Sequence, residues 1–145
     1  MEFKEKAERI IEDCRNIQGD LYRQIEKVEY SINLLNEKKS SLFVLPKTKT
    51  KITELVRSLK SYKTLLEENA NYIDVKFSVL TKESQKPDAT IESMNKLNQY
   101  KYSKEKTISL PKEVAQDLAK FGINFSKDDE VRLCPNQAEE SELCM

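Results

Sequence analysis

Two heptad runs set back to back constrain this chain more than any other feature. The first places apolar or small residues at Phe3, Ala7, Ile10, Cys14, Ile17, Leu21, Val28 and Leu35. The second places Ile52, Leu55, Leu59, Tyr62, Leu66, Ile73, Phe77 and Leu80. Steps of three and four alternate, or sum to seven where a polar residue intervenes. That is the period of helices packed along a seam. The spacing predicts a mainly α fold: a long antiparallel, coiled-coil-like helical hairpin with a third helix and a small C-terminal α/β appendage.

The first helix is expected from Glu2 to Lys39. It includes Gly19, which costs roughly 1 kcal/mol relative to Ala. Ile11, Ile25, Ile32 and Leu34 widen its stripe, which implies contact with more than one helix. Ser40 to Thr50 forms the connection, where Pro46 interrupts and Thr48 or Thr50 is the expected N-cap. Within it, Leu42, Phe43, Val44 and Leu45 read either as a plug for the end of the hairpin or as an exposed docking patch. The second helix is expected from Lys51 to Lys82, and a third from Ile91 to Tyr102 after a break at Pro87.

Beyond that the texture changes. Thr107 to Leu110 alternates like a short strand, and Pro111 sits where a helix begins. Val114 to Phe121 makes a short helix closed by Gly122. Ile123 to Phe125 and Glu130 to Leu133 read as strand pieces around an acidic turn. The expected organisation is a helical domain over 1–102, a strand-helix-strand appendage over 103–134 and an acidic flexible tail over 135–145.

Composition narrows the function. Apolar residues make up 38% and charged residues 34%, a balance that suits narrow helical seams with wet outer faces. No long apolar run exists, so no membrane-spanning helix is expected. The N-terminus lacks a signal-peptide core, and the three cysteines are unclustered; a cytoplasmic location is the expectation. The chain contains no histidine, which removes imidazole triads and His-bearing zinc sites. It also lacks a phosphate-cradling Gly loop and a Cys-x-x-Cys pair. No enzymatic activity, cofactor or metal is expected. Cys14, on the heptad stripe, reads as a small buried hydrophobe. Asp128, Asp129 and Glu130 read as a solvated turn, with cation binding as the alternative.

Charge is balanced overall but unevenly placed. Residues 38–64 carry eight bases and one acid, whereas 113–145 carry a net −5. The basic block straddles the turn, so Lys38, Lys39, Lys47, Lys49, Lys51 and Arg57 cluster near one end of a rod about 50 Å long at about 1.5 Å per residue. Such a tip can meet phosphates or an acidic protein surface. A second patch, Asn98 to Lys106, interleaves tyrosines with lysines, a pattern that either stacks bases or packs a helix.

The segment from Thr107 to Ile123, read with Asp128 to Leu133, resembles the strand-helix unit of ribbon-helix-helix or AbrB-type DNA-binding regulators. The resemblance rests on a Leu-Pro-Lys-Glu turn, an amphipathic helix and a terminal strand, and covers about 27 residues. It implies intertwined dimers in which Lys106, Thr107, Ser109 and Lys112 face DNA.

The leading expectation is a non-enzymatic helical interaction protein, an adaptor, inhibitor or assembly factor, that self-associates and binds a macromolecular partner. A homo-oligomer is expected, a dimer above others, joined through Ile10, Ile17, Leu21, Val28, Leu35, Leu55, Leu59 and Leu66. A protein partner is expected, and no membrane partner. The alternative is a nucleic-acid-binding regulator that uses the basic tip or the C-terminal strand-helix unit.

Overall fold

Apolar positions spaced by three, four and seven make one stripe on each of two long helices, and in the structure the stripes face each other. A computed structural model describes residues 2–41, 43–84 and 107–133. Helix α1 spans Glu2–Lys39 and α2 spans Pro46–Ser84; they pack against each other as an antiparallel hairpin. A short strand β1 (Thr107–Ile108), a helix α3 (Lys112–Ala119), a 3-10 turn (Lys127–Asp129) and a strand β2 (Val131–Arg132) follow. The two strands pair antiparallel, Thr107 opposite Arg132 and Ile108 opposite Val131. The expected third helix over Ile91–Tyr102, the 98–106 patch, Leu42 and the tail over 135–145 lie outside the described residues.

The seam is closed within one chain. Ile10, Cys14, Ile17, Leu21, Val28 and Leu35 of α1 are buried against Ile52, Leu55, Leu59, Tyr62, Leu66 and Ile73 of α2. All eight residues expected in the oligomer seam are buried in this interface. Each large aliphatic side chain contributes about 1.5–3 kcal/mol by leaving water, before conformational entropy is subtracted. α1 continues through Gly19, where a Cβ would meet only the end of the Arg23 side chain, at 3.6 Å.

The second helix begins earlier than the Thr48 or Thr50 cap predicts. Pro46 is its first residue, and the Lys49 amide already donates to the Leu45 carbonyl at 3.0 Å. Proline suits this place because its φ is preset and it has no amide proton to leave unpaired. Thr50 is consequently one turn inside, and its hydroxyl donates back to the Pro46 carbonyl at 3.1 Å.

The C-terminal unit adds to the same core. Ile108, Leu118, Ile123, Val131 and Leu133 are buried in one cluster with the seam, and β2 packs on α1 while α3 packs on α2. Of the residues that widen the α1 stripe, Ile32 is buried in this shared core and Ile11, Ile25 and Leu34 lie half-buried against it. Pro111 caps α3 from outside instead of opening it, with φ −52° and ψ 137°. At the other end Gly122 takes φ +79°, and the amides of Gly122 and Ile123 donate to the Ala119 and Leu118 carbonyls at 3.0 and 3.1 Å. That is a left-handed helix stop, which glycine adopts without steric cost. Ile123 to Phe125 has no regular secondary structure and pairs with no strand among the described residues. The acidic turn is a capping box: the Ser126 hydroxyl accepts from the Asp128 amide, and the Asp129 carboxylate accepts from the Ser126 amide.

Candidate functional site

The hairpin tip holds the strongest concentration of positive charge, and the structure divides it. Two of its six cations are taken up by the C-terminal unit. Lys38 Nζ donates to the Phe121 carbonyl at 2.7 Å and lies over the Phe121 ring. Lys51 Nζ pairs with Asp117 at 2.7 Å. The bond to Asp117 raises the Lys51 pKa, and the same bond lowers that of Asp117. A third lysine farther along α1, Lys27, pairs with Asp129 at 2.7 Å and sits over the Phe125 ring at 4.4 Å. Burial alone would raise the Asp129 pKa, but the bonds from Lys27 and from the Ser126 amide outweigh it, and the pKa falls. These contacts clip the appendage to the hairpin through individual lysine pairs.

Lys39, Lys47, Lys49 and Arg57 remain, all exposed except the half-buried Lys39. Beside them the turn projects two large apolar side chains into water. Phe43 is 94% exposed and Leu45 is 69% exposed, while Val44 is half-buried. Phe43 and Leu45 therefore do not plug the hairpin. The turn is too short to fold them back, because α2 starts at Pro46 immediately after them. Solitary exposed apolar residues are ordinary, but two on one tip among lysines make a compact amphipathic surface.

A groove opens between α1 and α2 next to this tip. Its volume is about 460 Å³, and Asn36, Lys39, Thr53, Arg57, Lys60 and Ser61 are among its walls. Lys60 was not among the tip residues expected from sequence. Its signal was the spacing Arg57, Lys60, Thr64, which puts all three on one helical face.

Of the alternative C-terminal residues, Thr107 lies on β1 and Lys112 at the start of α3. β1 pairs with β2 of its own chain, with Thr107 exposed at its start. Ser109 and Lys112 instead border a cleft of about 440 Å³ that also includes Gln24 of α1 and Phe125. Lys106 lies outside the described residues. Cys14 is buried in the seam. Among the described residues no helix is long and apolar enough to cross a membrane. No family model, no curated protein and no solved structure matches this chain.

Proposed function

We propose that this chain is a non-enzymatic helical interaction protein, an adaptor, inhibitor or assembly factor, whose hairpin tip docks into an acidic protein partner. The exposure of Phe43 at the end of a rigid rod carries the reading. An aromatic side chain held outside the core has no stabilising role within the chain. Burying it in a partner contributes about 1.5–3 kcal/mol, on the order of 10- to 100-fold in affinity. Lys47 and Lys49, in the first turn of α2, set positive charge next to it, which favours an acidic rim around an apolar pocket and speeds encounter. The heptad stripes are buried between α1 and α2, and the docking surface proposed here is the tip.

The test is an affinity capture that compares the wild-type chain with Phe43→Ser/Leu45→Ser and with Lys47→Glu/Lys49→Glu. An acidic protein retained by the wild type, lost in both variants, and then bound directly when purified would support the reading. Retention unchanged in the Phe43→Ser/Leu45→Ser variant would refute it. Capture that disappears on nuclease treatment would favour the nucleic-acid reading.

A further inference from the structure

The groove between α1 and α2 is a different surface from the tip prong, and its chemistry is that of an anion track. Three cations line it, Lys39, Arg57 and Lys60. Among the described residues none of the three is paired with a carboxylate. This sets them apart from Lys27, Lys51 and Lys63, which pair with Asp129, Asp117 and Glu29. The lining contains no acidic residue. Neutral donors are present as well: the Asn36 amide and the Ser61 hydroxyl face the same space. The hydroxyl protons of Thr53 and Thr64 are committed to the Lys49 and Lys60 carbonyls at 2.9 and 3.1 Å.

The track has a length and an end. On α2 the lining runs from Thr53 to Thr64, about 16 Å at about 1.5 Å per residue. Phosphates follow one another at about 3.4 Å along the axis of a stacked strand, so several fit in file. Away from the tip, Lys60 and Thr64 also border the next stretch, where Glu29 and Glu67 appear and Lys63 is neutralised by Glu29 at 3.1 Å. The favourable potential is thus confined to the tip-proximal part. By helical spacing, Asn36 of α1 and Lys60 of α2 fall on the opposite flank of the seam from Lys27, Lys38 and Lys51, which hold the C-terminal unit. The docked appendage leaves the groove open.

We infer that this groove binds the phosphate backbone of a single-stranded nucleic acid, without base selection. The groove follows the line between two packed helices, along which a single backbone can lie. The lining has no aromatic side chain on which a base could stack, so the contacts are to phosphate and are independent of sequence.

Labelled dT20 titrated by fluorescence anisotropy at several salt concentrations tests this on the full chain. Binding should weaken linearly in log salt. Lys39→Gln/Arg57→Gln/Lys60→Gln should reduce affinity at least about tenfold at low salt and flatten the slope by about 2, at about 0.7 per lost phosphate contact. Arg57 and Lys60 are exposed and Lys39 is half-buried, and circular dichroism checks that the helices persist. Absence of wild-type binding at low salt overturns the inference. So does an unchanged affinity in the triple variant while Lys47→Gln/Lys49→Gln abolishes binding, since the tip would then be the site. Inorganic polyphosphate serves as the second ligand. Its binding to the groove without any binding of dT20 would overturn the nucleic acid as the occupant.

Discussion

Gln24 Nε2 donates a hydrogen bond to Tyr62 Oη at 3.2 Å across the buried seam. Both residues are almost fully buried. The pair occupies the place where Gln24 stands at the seam position of α1 between Leu21 and Val28. A polar layer of this kind holds two helices in one register, because sliding by a turn leaves both groups buried and unpaired. Burial raises the Tyr62 pKa even though the Gln24 bond acts the other way, and the nearby Asp129 and Glu130 raise it further. The phenol therefore stays protonated through the neutral range.

Removing one member of this pair should cost more than removing both. Tyr62→Phe leaves the Gln24 amide buried without that acceptor, at about 1–3 kcal/mol. Tyr62→Phe with Gln24→Leu should recover a substantial part of the loss. A double-mutant cycle from urea melts measures the coupling, and strict additivity would mean that the bond contributes nothing.

Leu59 should be far more sensitive to a charge than to truncation. It is fully buried in the middle of α2. Leu59→Ala should destabilise the hairpin by about 2–5 kcal/mol. Leu59→Asp should abolish most of the helical circular dichroism, since an isolated carboxylate cannot be accommodated there. Unchanged helicity in Leu59→Asp would show that the two stripes do not meet as described.

The two glycines should respond in opposite directions. Gly19 lies in a regular helix with room for a methyl group, so Gly19→Ala should raise stability by roughly 0.5–1 kcal/mol. Gly122 has open space around it but a positive φ, so Gly122→Ala should lower stability by about 1–2 kcal/mol through the backbone alone. Thermal melts of the two variants decide it, and a shift in the same direction for both would contradict the Gly122 conformation.

Acid should loosen the C-terminal unit before the hairpin. The pKa values of Asp117 and Asp129 are lowered by Lys51 and by Lys27 with Ser126. A carboxylate with a lower pKa folded than unfolded stabilises the fold at pH above its unfolded value, and that contribution is lost as pH falls through the folded value. The seam has no such dependence in its aliphatic layers. Methyl resonances of Ile108 and Leu118 should therefore shift below about pH 4, the ordinary carboxylate range, before those of Leu21 and Leu59. Simultaneous loss of both sets would rule out the ion pairs as the clip.

Much of the helical architecture was legible in the spacing. Ile10, Ile17, Leu21 and Val28, and Leu55, Leu59 and Leu66, differ from their neighbours in polarity at a fixed period, and a period is a property of sequence. The start of α2 was less legible. Pro46 can either break a helix or begin one, and only the path of the connection selects between these uses. The fate of the six tip cations was not legible at all. Lys38 and Lys51 look like Lys39 and Arg57 in sequence, yet the first two are bound to Phe121 and Asp117, at a separation of more than 60 residues.

The sequence by itself determined two amphipathic helices, the stop at Gly122 and a charge split between a basic turn and an acidic C-terminal region. Periodicity, backbone preference and charge act over one or a few turns of chain. The tertiary structure decided that the seam closes on itself, that the appendage covers one flank of the hairpin, and that Phe43, Leu45 and the Lys39, Arg57 and Lys60 groove stay open. Those outcomes depend on which distant surfaces meet and remove each other from water, a quantity that no local pattern contains.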